Sequence, residues 1–240
     1  MLAKRIRDKT RFTFLSSNSS FIECVRKHKL PLHLRSNSND NDDSCRSKCT
    51  FDHYHLDLST TTLNINYEFD SSKWVSCTAD YGGGIYLKAG NTVSLFVTKG
   101  EFYSCVVSHR GGGIYADRIG KVEVTMTLFH ACIAEAQLDY GGGGIGIDSA
   151  TALPSIESSS FISCISGNDA GGVALWYSPF FQRTCFANSR FVGCQGLSTT
   201  GSDGGSIIIW WSNAAIGFSN TLFVDCHSEF HGGALSYYIR

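Results

Sequence analysis

The sequence predicts an all-β chain: a right-handed parallel β-helix, a solenoid of about six full coils with an irregular N-terminal coil ahead of it. Three observations carry this. An aromatic residue followed three positions later by Cys recurs at Phe21/Cys24, Trp74/Cys77, Phe102/Cys105, Phe129/Cys132, Phe161/Cys164, Phe191/Cys194 and Phe223/Cys226. From Trp74 onward the aromatic advances by 28, 27, 32, 30 and 32 residues. After each of those later cysteines comes a glycine cluster: Gly82 to Gly84, Gly111 to Gly113, Gly141 to Gly144, Gly171/Gly172, Gly204/Gly205 and Gly232/Gly233.

Within each repeat the elements follow in order. An apolar strand usually leaves the glycines at once, as in Ile85-Tyr86-Leu87, Ile114-Tyr115-Ala116 and Ile207-Ile208-Ile209. A second β-rich segment then leads to the next aromatic, as in Val93-Ser94-Leu95-Phe96-Val97 and Val122-Glu123-Val124-Thr125-Met126. Helical repeats of similar length carry an Ala/Leu/Glu-rich 3.6-residue pattern, which is missing here. Propeller blades need longer repeats of four antiparallel strands. Short strands with glycine corners suit a solenoid, whose coils bury their faces against one another. Equivalent residues then stand roughly 4.8 Å apart along the axis. The aromatics form one interior ladder, each ring worth roughly 1.5–3 kcal/mol when fully buried. The glycines mark a corner that needs positive φ or has no room for a side chain. The longest Cys-to-Gly spacings, Ile133 to Tyr140 and Gln195 to Asp203, read as outward loops.

Residues 64–240 form the repeat domain in this reading, and residues 1–63 an irregular coil with a polar insertion. Phe12 to Cys24 looks like a first coil, and the Asn/Asp/Ser-rich stretch Ser36 to Ser44 stands where its glycine corner would be. Cys45, Cys49, His53 and His55 are candidate zinc ligands, since Cys and His at such spacings can supply a tetrahedral shell. A solvated loop or a local disulfide explains the same residues. The ladder cysteines read as a column of buried thiols acting as small hydrophobes. Stacked positions hold their Cβ atoms farther apart than a disulfide prefers. Cys185 and Cys194 are the candidates for an intracoil disulfide.

Composition narrows the function. The formal net charge is -1, so nothing global attracts nucleic acid or an acidic membrane. The basic N-terminus (Lys4, Arg5, Arg7, Lys9, Arg11) has no apolar segment behind it and does not read as a secretory signal. No apolar run is long enough to span a bilayer. The expectation is a cell-surface or secreted protein, as part of a longer chain through which alone it would meet a membrane. The sequon Asn18-Ser19-Ser20 is consistent with secretion. A last coil without a polar cap leads to the further expectation of end-to-end self-association.

Gly232-Gly233-Ala234-Leu235 and Gly204-Gly205-Ser206-Ile207, alternating with Phe-x-x-Cys, resemble the Gly-Gly-Ala-Ile and Phe-x-x-Asn motifs of the polymorphic outer membrane protein repeat, a pectin-lyase-like β-helix. The resemblance covers roughly Trp74 to Arg240 and implies a right-handed β-helix with a surface-exposed, adhesin-like role. Cys replaces the family's Asn in all seven copies.

Pectin-lyase-like helices often degrade polysaccharides, so catalysis is weighed beside binding. Aligning the glycine corners puts Ile85, Ile114, Ile145, Ala174, Ile207 and Leu235 inward. Three positions later Lys88, Asp117, Asp148, Tyr177, Trp210 and Tyr238 face outward. Asp117 and Asp148 on adjacent coils would stand about 5 Å apart, near the carboxylate separation of a retaining glycosidase. Lys88 beside them would tune a pKa. Outward Asp residues at strand ends are also ordinary turn formers. Tyr177, Trp210 and Tyr238, with Trp176, Trp211 and Tyr237 nearby, predict an exposed aromatic stripe suited to a glycan or protein ligand. A one-residue slip of register would send any of them inward. Three readings result: a non-catalytic glycan- or protein-binding module, a polysaccharide hydrolase or lyase, and a structural spacer.

Overall fold

The structure is a computed structural model. It describes residues 66–89, 91–135, 141–152, 154–176, 186–197, 204–210 and 216–238, together with the strand backbone at 11–15, 56–58, 65 and 184–185. Every regular element among them is a β-strand. Two strands come first, β1 (Arg11–Leu15) and β2 (Leu56–Leu58). Then follow sets of four. The first is β3 (Ile65–Asp70), β4 (Lys73–Val75), β5 (Thr78–Tyr81) and β6 (Ile85–Ala89). The second is β7 (Val93–Thr98), β8 (Glu101–Tyr103), β9 (Val106–Arg110) and β10 (Ile114–Asp117). The third is β11 (Lys121–Thr125), β12 (Leu128–His130), β13 (Ile133–Ala134) and β14 (Ile145–Asp148). The fourth is β15 (Ser155–Glu157), β16 (Ser160–Ile162), β17 (Ile165–Ser166) and β18 (Val173–Trp176). The fifth is β19 (Thr184–Ala187), β20 (Arg190–Val192), β21 (Gln195–Gly196) and β22 (Ile207–Trp210). The last is β23 (Ile216–Ser219), β24 (Leu222–Val224), β25 (His227–Ser228) and β26 (Leu235–Tyr238).

Strands in equivalent positions pair in parallel and build four faces. The first face runs β1-β3-β7-β11-β15-β19-β23, and the second β4-β8-β12-β16-β20-β24. The third runs β5-β9-β13-β17-β21-β25, and the fourth β2-β6-β10-β14-β18-β22-β26. The molecule is therefore an all-β parallel β-helix. From β3 the chain returns to the first face at β7, β11, β15, β19 and β23, which makes about five turns. The sequence count of six includes the last set, which does not close into another turn among the described residues. The segments Ile133 to Tyr140 and Gln195 to Asp203 begin in the third face, as β13 and β21, and their remainders (136–140 and 198–203) lie outside the described residues. Phe21 and Cys24 also lie outside them.

Alternation fills the interior. On the first face Val93, Leu95 and Val97 point inward between half-buried neighbours. On the fourth face Ile114 and Ala116, Ile145 and Ile147, and Ile207 and Ile209 do the same. The expected aromatic ladder is present. Ring centroids are 4.3 Å apart for Trp74/Phe102, 4.7 Å for Phe102/Phe129, Phe129/Phe161 and Phe161/Phe191, and 5.1 Å for Phe191/Phe223. The ring stack therefore has the same period as the strand ladder.

Two corners use left-handed residues throughout, and Arg118 and Ser149 close β10 and β14 in the same conformation. Ser71, Lys99, Met126, Ser158, Asn188 and Asn220 close the first-face strands with φ near +50°. Ser76, Ser104, Ala131, Ser163, Gly193 and Asp225 do so just before each ladder cysteine. A non-glycine residue in this region costs roughly 1–2 kcal/mol. Before the last set, each of these corner N–H groups donates to a carbonyl of the next coil, as Ser76 to Tyr103 at 2.8 Å and Ser104 to His130 at 2.9 Å, which offsets the strain. The glycine corner works by close approach, with Gly82 and Gly111 also at positive φ. A Cβ on Gly112 would sit 2.2 Å from the Gly143 carbonyl oxygen, and one on Gly144 2.7 Å from the Phe161 ring.

The ladder cysteines remain thiols; Cys77, Cys105, Cys132, Cys164 and Cys194 are buried and Cys226 half-buried. Each thiol from Cys105 onward donates to the carbonyl of the preceding coil's ladder aromatic, at 3.5 to 3.9 Å. Burial pushes the Cys132 thiol well up, and contact with Cys105 and Cys164 adds to it. Burial also disfavours the Cys164 thiolate, but the thiols of Cys132 and Cys194 on either side favour it and leave Cys164 lowered.

Candidate functional site

The outer surface of the fourth face collects most of the chemistry. Its strands present two outward columns. One holds Tyr86, Tyr115, Gly146, Ala174, Ile208 and Ser236; the other holds Lys88, Asp117, Asp148, Trp176, Trp210 and Tyr238. The first column is buried although it faces away from the core. Ala170, Ala174, Trp176 and Ile208 form a second apolar cluster there, with Trp210 and Tyr238 packed against it.

The register corrects one coil of the sequence alignment. Val173, and not Ala174, pairs with Ile145 and Ile207 in the inward column. Trp176, and not Tyr177, therefore stands between Asp148 and Trp210. The cause is Gly172, which lies over the Phe191 ring as Gly144 lies over Phe161, so that the strand starts one residue earlier. Trp176 is only 3% exposed, so the stripe is covered at this member. Tyr237 is paired with Ile209 and packs against the main core. Tyr177, Trp211, Cys45, Cys49, His53 and His55 lie outside the described residues.

Asp117 and Asp148 are register partners, as expected, and Lys88 is the partner of Asp117 on its other side. Both carboxylates are about one-fifth exposed and both have cationic partners. Arg118 Nε lies 3.5 Å from Asp117 Oδ1. Arg110 Nη1 donates to Asp148 Oδ2 at 3.2 Å and to the Tyr115 hydroxyl at 3.1 Å. The Ser149 hydroxyl donates to Asp148 Oδ1 at 2.7 Å. Burial pushes the Asp117 carboxyl above the ordinary range; Arg118 opposes this, Asp148 reinforces it, and Lys88 and Arg110 oppose it further. Burial likewise pushes the Tyr115 phenol up.

Arg110 is held by rings as well as by the acid. Its guanidinium carbon lies 5.7 Å from the Trp176 ring centre and 5.9 Å from that of Tyr115. Beside it Tyr81 stacks on His109 at 4.8 Å and meets Tyr86 and Tyr115 at 5.5 Å. No family model matches the chain. No curated protein and no solved structure matches it either. The site is therefore read from its own geometry.

Sequence reasoning missed Arg110, Tyr115 and Ser149. Tyr115 had a visible signal, the repeated Gly-Ile-Tyr of Gly84 to Tyr86 and Gly113 to Tyr115. Arg110 had none, because the pairing of β5 with β9 shifts register between Ala79 and Tyr81, and that irregularity brings Arg110 opposite Tyr81. At the other end of the column Trp210 and Tyr238 stack at 4.2 Å with planes 10° apart. Rings stacked along the axis cover each other's faces and turn their edges outward. Among the described residues no three His, Cys, Asp or Glu side chains converge in a metal-binding group.

Proposed function

We propose that this chain is a non-catalytic β-helix module of a surface or secreted protein, and that it binds a glycan or protein ligand on the outer fourth face. The observation that carries the proposal is one register column that passes from Lys88, Asp117 and Asp148 to Trp176, Trp210 and Tyr238. Each carboxylate is already occupied by an arginine, which suits a fixed recognition surface more than proton transfer. Half-buried rings beside charged groups are the usual composition of a binding patch. The edge-outward stack favours insertion of these rings into a partner's contour over sugars lying flat on them. The resemblance to the polymorphic outer membrane protein repeat supports an adhesin-like role.

A second reading, polysaccharide cleavage, is favoured by one observation. Burial raises Asp117, and a second carboxylate, Asp148, is its register partner; a raised acid beside a second carboxylate is what a general acid and its partner require. A panel of polysaccharides and extracellular-matrix proteins tests both readings. Retention without new reducing or unsaturated ends, lost in a Trp210→Ala/Tyr238→Ala variant, is the expected result. New ends that disappear in Asp117→Asn would overturn it in favour of an enzyme. Neither signal would leave a structural spacer. Self-association belongs to the same proposal, since Phe218, Leu222 and Phe230 are exposed apolar side chains. Size-exclusion elution that shifts with concentration tests it.

A further inference from the structure

The thiol column has a geometry that its packing role does not require. Cys132, Cys164, Cys194 and Cys226 occupy the same corner of successive coils. Each sulfur sits on the seam between coils, 3.5 to 3.6 Å from a carbonyl oxygen of the coil before for Cys132 through Cys226. The coil spacing at this level is 4.7 Å, set by the stacked rings of Phe129, Phe161 and Phe191 next to them. A metal–thiolate bond is roughly 2.3 Å long, so two of them in line span roughly 4.6 Å. Among the described residues no third ligand converges on any pair, so a tetrahedral zinc shell has no place here. Sulfurs stacked side by side about one coil spacing apart match the span of linear coordination, and sulfur ligands select soft ions.

We propose that this column is a binding site for soft monovalent d10 cations, copper(I) or silver(I), held in line between sulfurs of successive coils, with Cys132/Cys164 and Cys194/Cys226 as the pairs. Binding forms one metal–thiolate bond and releases that thiol's proton to solvent. The facing sulfur donates a lone pair as a neutral thiol. The cation and the thiolate cancel, so the core gains no net charge, and nothing is oxidised or reduced. Cys226 is the half-buried member of the column.

The test uses the whole chain with Cys24, Cys45 and Cys49 changed to Ser, kept reduced and anaerobic, and silver(I) as the probe. Silver is added to the native protein and, separately, during refolding from urea, which removes slow entry as a reason for failure. Native mass spectrometry should count about two retained ions attributable to these pairs. Cys132→Val/Cys164→Val should lose about one of them with its far-UV circular dichroism unchanged. X-ray absorption should report two sulfur neighbours per silver. If the double variant does not fold, Cys226→Ala at the half-buried member replaces it, with the same loss of about one ion. No ion retained by the folded protein under either condition, a count unchanged by the variants, or a three- or four-sulfur shell would overturn the proposal.

Discussion

Ser159 donates to the Glu157 carbonyl at 2.8 Å and accepts the Thr127 backbone N–H at 3.1 Å. Ser189 repeats this with Ala187 and the Ser159 N–H, and Thr127 with Thr125 and the Gly100 N–H. A ladder of hydroxyls thus satisfies buried amides at the corner between the first and second faces. The thiols hold the next corner and donate only weakly. Ser159→Ala removes an acceptor that Thr127 cannot replace, and a buried unsatisfied N–H costs about 1–3 kcal/mol. A urea titration of the variant should show that loss; a change within error would mean that water enters the corner. Asp117 makes a second prediction at this scale. Its folded pKa lies above the unfolded one, so the folded state binds the extra proton, and stability falls as pH rises from about 4 through the folded value. Asp117→Asn removes that penalty. The variant's advantage in melting temperature should therefore be absent at low pH and grow toward neutrality. An advantage that grows on acidification would contradict the burial that raises this carboxyl.

At the scale of the strand and its corners, Gly193 and Gly144 isolate two roles that Gly82 and Gly111 combine. Gly193 has φ +61°, and a Cβ there would meet only Ser163 Oγ at 3.6 Å. Gly193→Ala should cost the left-handed penalty alone, roughly 1–2 kcal/mol. Gly144 has no such φ, but its Cβ would lie 2.7 Å from both the Gly172 carbonyl oxygen and the Phe161 ring. Gly144→Ala forces two coils apart and should cost about 3 kcal/mol or more. Denaturant midpoints of the two variants, ranked the other way, would refute the close-approach account. The same corner explains what was legible beforehand. The aromatic-to-Cys period and the glycine clusters are spacing signals, so the parallel helix, the ring ladder and the Asp117/Asp148 pairing could be read from the sequence. The Trp176 position could not, because a two-glycine corner hides which glycine covers the ring. The hydroxyl ladder left a trace that went unread, a Ser or Thr two residues before six of the seven repeating aromatics: Phe21, Trp74, Phe129, Phe161, Phe191 and Phe223. Arg110 depends on an irregular pairing that no spacing announces.

Across the whole molecule, stability is a sum of coil-to-coil contacts and has no single centre. Phe161 lies in mid-stack, fully buried, with Phe129 and Phe191 on its two faces at 4.7 Å. Phe223 lies in the last set, half-buried, with Phe191 at 5.1 Å as its ladder neighbour. Phe161→Ala should cost about 3–5 kcal/mol, whereas Phe223→Ala should cost less than half of that, because part of its surface is already wet. The mid-stack change also weakens both interfaces that join the flanking coils. Such a stack melts in one step only while its interfaces outweigh the differences between coils. Phe161→Ala should therefore broaden the urea transition or split it in two, and Phe223→Ala should shift the early part of an otherwise intact transition. Amide exchange followed by mass spectrometry locates the break: in Phe161→Ala, protection should fall on both sides of β16, and in Phe223→Ala only in β23–β26. Uniform loss of protection in both variants would show that the helix folds as one indivisible unit, and the additive account of its coils would be wrong.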